Sequence, residues 1–395
     1  MKKATREDSK THNKTLIFNT LYHSHNASRA DVSRITGLTR STVSEIVGEL
    51  IDEGLVSEVG IGQSAGGKPP VLLSVINAAR QIIGIDLASG EFRGALINLR
   101  GQIEKRINIP INDEPGDVAV QHVFELIDGL IARANSPILG IGIGAPGLMD
   151  TDAGVVLNAV NLDWRDLPLG TELEKRYQIP VYIANDSQIS ALAEYNFGEA
   201  NKAANLLLVK ISRGVGAGIV INQQLFHGDS FGAGEIGHVR VEDNGELCRC
   251  GNYGCLETRI SSRAIRRQAR EIAAAHPDSL IQKISPNVEQ LTFDQVFQAY
   301  QQGDPYVAEL VQEIGQSLGK ALSYVVSLLN IRRVVLAGSV AAFGEGLLAP
   351  ANAILNQSIL PGLVDDTELA ISELGEEIVI LGAAGMVLQN ELGIL

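Results

Sequence analysis

The chain has 395 residues, 45% of them hydrophobic and 20% charged, with a formal net charge of −14. That length predicts two or three domains rather than one core. No apolar run approaches a membrane span, and the opening residues (Met1-Lys-Lys-Ala-Thr-Arg-Glu-Asp8) hold no apolar core, so a cytoplasmic protein with no membrane partner is expected.

Charge is distributed unevenly. Residues 1–75 carry nine Lys/Arg against eight Asp/Glu, whereas the remainder carries 23 against 38. Phosphate contacts need Lys and Arg, so any nucleic-acid surface belongs at the front of this acidic protein.

Three helices are predicted there. Residues 11–24 put Leu16, Ile17 and Leu21 on one face. Ser28-Arg-Ala-Asp31 has the spacing of a helix start, with Val32 and Ile35 expected to face inward. After Thr36-Gly37-Leu38, a third helix is expected from Thr39, with Val43, Ile46, Val47 and Leu50 inward. Its front presents Thr39, Arg40, Ser41, Thr42 and Ser44, the types that reach phosphates and base edges from a major groove. "SEVGIGQSAGGKPPVLLSV" then reads as strand, glycine-rich tip and strand, with Lys68 set to reach DNA from the tip. Helices and hairpin together predict a winged helix-turn-helix, preceded by a basic arm of Lys2, Lys3, Arg6, Lys10 and Lys14. A small packed domain without a DNA partner has the same outline; the polar helix front and the basic arm favour double-stranded DNA.

From Gln81 the pattern becomes α/β. Strands are expected at 82–88, 92–99, 103–109, 138–143, 206–211, 216–221 and 333–337, and Glu377–Leu381 reads as a last strand before a helix from Ala383. Two similar β-then-α lobes around a cleft are the economical arrangement. Gly142-Ile-Gly-Ala-Pro-Gly147 fits GxGxxG literally, but a dinucleotide loop must open a helix. Here Pro146 interrupts it and "LMDTDAGVV" reads as turn and strand.

All three cysteines fall in one stretch, "EIGHVRVEDNGELCRCGNYGCLE". His238, Cys248, Cys250 and Cys255 make H-x9-C-x-C-x4-C, one imidazole and three thiolates, the closed ligand set of a structural Zn²⁺ site. Three thiols cannot all pair in disulfides, and dithiol redox work favours C-x-x-C.

Glu235-Ile-Gly-His238, the Cys-x-Cys-Gly-x-x-Gly-Cys run and Leu256-Glu257 resemble the signature of the ROK family (repressors, open reading frames and kinases). "SRADVSRITGLTRSTVSEIVGELIDEGLVSE…GGKPP" is similar to the winged-helix segment of its repressor branch. The resemblance implies an actin-like, sugar-kinase-type two-lobed α/β body behind the winged helix-turn-helix. The expected division is 1–75 for the DNA-binding domain and 76–80 for a linker. The first lobe takes 81–195 plus 383–395, and the second, with the zinc loop, takes 196–382. The resemblance also assigns sugar contacts to Asn185, Asp186, Glu235, His238, Glu257 and Gly147. His238 then serves twice, one ring nitrogen on zinc and the other toward a sugar hydroxyl. Trp164 is available for stacking, although a single tryptophan belongs more often to a core.

Kinases of the family would use Asp186 as general base. Their phosphate loops, expected as Asp-x-Gly-Gly-Thr and Gly-Thr-Gly-x-Gly-Gly-Gly, read Asp86-Leu-Ala-Ser-Gly-Glu-Phe92 and Ser212-Arg-Gly-Val-Gly-Ala-Gly218 here. Glu91 would repel a polyphosphate, while Arg213 would attract an anion. The expectation is therefore a sugar-responsive repressor, not an enzyme: a homodimer on an inverted-repeat operator, with a small sugar as effector. The alternative is an ATP-dependent sugar kinase carrying a DNA-binding head.

Overall fold

A computed structural model describes residues 6–24, 26–63, 69–88, 90–111, 116–199, 203–364 and 366–394. The chain divides into two compact units, Met1–Ala184 with Ile380–Leu395, and Asn185–Val379.

The first unit opens with helices α1 (Arg6–His23), α2 (Arg29–Thr36) and α3 (Arg40–Asp52). The expected start of α2 is a reciprocal cap: the Asp31 amide donates to Ser28 Oγ at 3.2 Å, and the Ser28 amide donates to Asp31 Oδ2 at 3.1 Å. Gly37, at φ 72°, ends it in the left-handed conformation that favours glycine. Thr39 then caps α3, its hydroxyl accepting from the Thr42 amide at 3.2 Å. Ile17, Leu21, Val32, Val43, Ile46, Val47 and Leu50 are buried together as periodicity predicts. Ile35 is not: it is 60% exposed. Helix α2 spans two turns and buries Val32, and Ile35 lies about 60° further round the axis, on the solvent side.

Strands β1 (Ala27–Ser28), β2 (Val56–Ile61) and β3 (Val71–Val75) form a small sheet in the order β1-β3-β2. Antiparallel β2 and β3 are the expected hairpin, with a bulge between Glu58 and Gly60. Lys68, expected at its tip, lies outside the described residues, as do Lys2 and Lys3. Lys10 and Lys14, expected in a basic arm, are instead paired with Glu49 at 2.6 Å and Glu53 at 2.5 Å. One helical turn apart on α1, they face the acidic side of α3, so their charge is used within the head.

Residues 77–79 form a 3-10 turn, and Arg80 donates to Glu53 O at 3.0 Å. Beyond it stand β4 (Gln81–Asp86), β5 (Glu91–Asn98), β6 (Ile103–Pro110), α4 (Gly116–Ile131) and β7 (Ile138–Ala145). They are followed by β8 (Leu148–Asp150), β9 (Val155–Ala159), β10 (Trp164–Leu167), α5 (Leu169–Tyr177) and β11 (Val181–Asn185). The main sheet runs β11-β7-β4-β5-β6, with β8–β10 in a smaller one. Trp164 is core: 4% exposed, its indole N–H donates to Gly116 O at 2.7 Å.

The first glycine of that GxG, in β7, and one glycine of neighbouring β4 are explained by packing. A Cβ at Gly142 would lie 2.1 Å from Ala383 O, and one at Gly84 2.6 Å from Ile380 O. Both absent side chains make room for the C-terminal helix, Ile378–Leu392. That helix corrects the strand expected at Glu377–Leu381. It is buried almost all round, so its apolar run carries no 3.6-residue period, and its β-branched opening (Ile-Val-Ile) mimics a strand.

The second unit repeats the plan. Helix α6 (Asp186–Phe197) precedes β12 (Leu206–Ile211), β13 (Val215–Ile221) and β14 (Gln224–Leu225). Helices α7 (Glu257–Ile260), α8 (Ser262–Ala275), α9 (Leu280–Ile284), α10 (Phe293–Gln301) and α11 (Pro305–Leu329) come next. Strand β15 (Arg333–Ala337), α12 (Glu345–Ser358), α13 (Pro361–Val364) and β16 (Glu368–Ile371) complete it. Its sheet order is β14-β13-β12-β15-β16. In each unit an antiparallel meander is followed by a parallel partner for its first strand, β4 with β7 and β12 with β15. This repeated topology is the actin-like plan expected of the body.

Candidate metal centre and carboxylate cluster

The cysteine loop is held by backbone and glycine geometry. The Cys248 amide donates to Asn252 O at 2.7 Å, the Val241 amide to Gly254 O at 2.9 Å and the Gly254 amide to Glu246 O at 2.9 Å. Gly254 has φ 75°, and a Cβ there would sit 1.9 Å from Glu242 O, so the loop closes only over a glycine. Ile236 and Leu256, at the two flanks, are buried in the core of this unit.

Within this frame the ligand atoms of His238, Cys248, Cys250 and Cys255 all lie within 4.8 Å of one another. Cys248 Sγ is 3.6 Å from His238 Nδ1, and Cys250 Sγ is 3.7 Å from Cys255 Sγ. A tetrahedron with metal–sulfur bonds of about 2.3 Å has edges of about 3.8 Å, so the four atoms fit one ion. Burial pushes the Cys255 thiol up to about 12 and raises that of Cys248 as well. Two thiols desolvated side by side ionise only against a cation, which is what a metal supplies.

Three carboxylates, Glu235, Glu257 and Asp186, gather with His238 at this loop's edge. His238 Nε2, the nitrogen turned away from the sulfurs, is 3.6 Å from Glu235 Oε2. Burial raises the Glu235 carboxyl, His238 opposes that, and the charges of Glu257 and Asp186 reinforce it. Glu257 opens α7; its Oε2 accepts from the Val215 amide at 3.0 Å and its Oε1 lies 3.6 Å from Arg263. In the turn before Val215, a Cβ at Gly214 would lie 3.0 Å from Glu257 Oε2, so this carboxylate packs directly on the turn.

Asn185 and Asp186 stand at the junction of β11 and α6. Asn185, not Asp186, is the helix cap, its Oδ1 accepting from the Ser187 and Gln188 amides at 2.9 and 3.1 Å. That leaves Asp186 on the first turn, where Lys210 Nζ donates to its Oδ2 at 2.6 Å and Ser187 Oγ donates to its Oδ1 at 3.1 Å. Lys210 is absent from the sequence-based assignment. Its signal was one lysine in the apolar strand "LLLVKI", since such a lysine needs a carboxylate partner. Gly147 belongs to the other unit, with φ 98° and no room for a Cβ, which would lie 2.2 Å from Asn158 O.

The two expected phosphate loops are built differently from one another. Asp86 is 1% exposed and accepts from Arg93 at 2.5 Å, while Glu91 accepts from Asn108 at 3.2 Å. In the second, only Ser212–Gly214 is a turn. Gly216 and Gly218 lie in β13, where a Cβ would meet Ser187 Oγ and Ala191 Cβ on α6, each at 2.5 Å. These glycines serve strand–helix packing. In the head, Thr39, Arg40, Ser41 and Ser44 are exposed at the start of α3, and Thr42 is half-buried.

Residues 82–390 match the model of the ROK family. The chain is 33% identical over 386 residues to a xylose repressor of Caldicellulosiruptor bescii, covering 96% of each protein. It is 34% identical over 317 residues to a glucokinase of Halalkalibacterium halodurans, covering 79% of this chain and 96% of that one. A solved ROK-family transcriptional regulator, a homologue of the Escherichia coli Mlc protein, superposes with a TM-score of 0.84 at 29% identity, covering 98% of this chain and 99% of that one. The repressor match runs through the N-terminal helices, whereas the kinase match leaves a fifth of this chain uncovered. With its repeated sheet topology and its His/Cys loop, the chain belongs to the ROK family.

Proposed function

We propose that the protein is a sugar-responsive transcriptional repressor of genes for sugar uptake or catabolism. The observation that carries this is the joining of two parts in one chain. A ROK body brings Asp186, Glu235, His238 and Glu257 into one unit, and ahead of it stands α3, with an exposed hydroxyl and guanidinium front.

Residues 1–75 act as a winged helix-turn-helix. Helix α3 enters the major groove, with Thr39, Arg40, Ser41, Thr42 and Ser44 toward DNA and the β2–β3 hairpin as the wing. The protein works as a homodimer on an inverted repeat, with recognition helices about 34 Å or a multiple apart. Tyr324 and Leu328, 50% and 82% exposed and one turn apart on α11, supply apolar surface that a second copy would cover.

His238 Nδ1 and the three thiolates would hold a structural Zn²⁺. When bound, the ion supplies a fixed positive centre that ionises the thiols and closes the loop. The protein's own residues do the recognition. Asn185, Asp186, Glu235 and Glu257 offer amide and carboxylate partners to sugar hydroxyls, and a site pairing every hydroxyl rejects sugars that lack one. His238 Nε2 beside Glu235 fixes that carboxylate's orientation. Sugar acts on repression only through its differential affinity for the DNA-binding and released forms.

ATP-dependent phosphorylation is disfavoured by the first loop, where Asp86 is engaged by Arg93 and Glu91 stands two residues before Arg93. The test is calorimetry with a panel of aldoses, run beside an ADP-release assay with Mg-ATP. Saturable binding of one aldose without ADP release is expected. Aldose-dependent ADP release would establish the kinase alternative.

A further inference from the structure

Between β14 and Glu235 the chain runs through "FHGDSFGAG" (226–234), which forms neither strand nor helix. Backbone fastens its two ends: the Phe226 amide donates to Ile219 O at 2.8 Å, and the Ala217 amide to Gly234 O at 2.7 Å. Between them the segment folds on itself, the Ala233 amide donating to His227 O at 3.0 Å. Gly228 and Gly234 are left-handed, at φ 72° and 96°. Phe231 is left-handed too, at φ 59°, where a bulky side chain is strained. Such a residue persists only where its surroundings hold it.

One side chain of α6 holds it. Gln188, 3% exposed, donates from Nε2 to Phe231 O and to Ala233 O, each at 3.1 Å. With both amide protons on carbonyls, its Oε1 is left to accept, and His227 Nδ1 stands 3.1 Å away. That nitrogen must therefore carry the ring proton. The His227 ring in turn meets Phe231 edge-on, the centroids 6.2 Å apart. Gln188 is itself fixed. Its backbone amide donates to Asn185 Oδ1, and Gly218 of β13 packs so closely that a Cβ there would lie 2.9 Å from Gln188 O.

We infer that Gln188 is a positioning residue of the proposed sugar site, latching residues 227–233 in their strained conformation and so setting Glu235 against Asp186 and His238. Asp186 lies two residues before Gln188 on α6, and Glu235 lies two residues after Ala233. The Gln188–Ala233 hydrogen bond is thus a short path between the two carboxylates. Without the amide, Phe231 O and Ala233 O lose this donor, and the segment relaxes away from the strain at Phe231. Glu235 then loses the fixed point from which it is placed. Gln188 acts on sugar only through Glu235. The function given to this latch rests on the proposed sugar site; the latch itself does not.

Gln188→Met keeps the length of this side chain and removes its donors and its acceptor. In the full-length variant, hydrogen exchange of peptides spanning 226–236 should quicken about ten-fold or more. Calorimetry with glucose and with xylose should show the aldose that binds the wild type weakened by a similar factor. Bound zinc and operator affinity without sugar should stay at wild-type levels, which a general disruption of the unit would not preserve. In the unaltered protein at mildly alkaline pH, nitrogen-15 spectra of labelled histidine should show His227 as the Nδ1–H tautomer, a reading that needs no variant. An Nε2–H ring, unchanged exchange, unchanged aldose affinity, or loss of zinc and operator binding in the variant would each overturn the inference. If neither aldose binds the wild type while exchange quickens in the variant, the sugar reading falls and the latch stands.

Discussion

Lys210 and Asp186 show how one residue pair orders the proposed sugar site. Their side chains are 12% and 15% exposed and 2.6 Å apart, so the ammonium fixes the carboxylate in place without help from solvent. Asp186→Asn should weaken sugar binding by about 2 kcal/mol, some thirty-fold, and leave operator affinity unchanged; a sugar titration of each activity reads the difference. The metal loop makes a second residue-scale prediction. Cys255→Ser should lower bound zinc from about one ion per chain to near zero, read by elemental analysis, since a closed four-ligand site tolerates no missing thiolate. The metal set was legible in the sequence because its ligands are close together in the chain and of unusual type. Lys210 was not, because 24 residues separate it from Asp186 and only folding brings the two together.

Elements were legible where a local rule acts alone. The starts of α2 and α3 follow from Ser28, Asp31 and Thr39, whose side chains satisfy amides of their own first turns. The C-terminal helix was misread because its neighbours, not its periodicity, bury it. Strand β16, four residues with no alternation of burial, left no signal. The exposed front of α3 carries the DNA prediction. Arg40→Ala should weaken operator binding by about 1–3 kcal/mol and reduce the slope of log affinity against log salt by about 1, if that guanidinium meets a phosphate. An unchanged affinity would refute the placement of α3 in the groove.

Helix α11 makes an element-scale prediction about pH. Asp304, fully buried, caps it by accepting from Ser279 Oγ at 2.6 Å and from the Leu280, Tyr306 and Val307 amides at 2.7, 2.9 and 3.1 Å. Burial alone would raise this carboxyl; those hydrogen bonds outweigh it and hold it below its ordinary 3.8. A depressed carboxyl contributes stability that is complete above the unfolded value and lost as pH falls through the folded one. Asp304→Ala should cost about 2–3 kcal/mol in urea unfolding at pH 7, and the gap from wild type should narrow below pH 4. A gap that stays constant through the acid range would contradict the role assigned to the ionised cap.

At the scale of the whole molecule, the two sheets share one topology, and the head belongs to the same unit as the first of them. Tyr22 OH donates to Leu99 O at 2.8 Å, and the Arg100 guanidinium lies 4.2 Å from the centre of the Tyr22 ring. Asn19 Nδ2 donates to Gly393 O at 3.0 Å, joining α1 to the end of the C-terminal helix. The head is therefore fastened to the first α/β sheet at these points, and whatever moves that sheet moves the helices of the head with it. The family body was legible because its signature, Glu235–His238, the three cysteines and Leu256-Glu257, falls in one short stretch of chain; these head contacts were not, because they join residues from 77 to 374 positions apart.

The central claim, that sugar controls DNA binding, is tested most directly by fluorescence anisotropy of the purified protein on labelled DNA from upstream of its own gene. Aldoses and their phosphates would be added one at a time at fixed salt, with and without Mg-ATP. Tight binding that one such ligand shifts by about ten-fold or more, indifferent to ATP, is the predicted result. Tight binding unmoved by every sugar and sugar phosphate, or a shift that requires ATP, would contradict it.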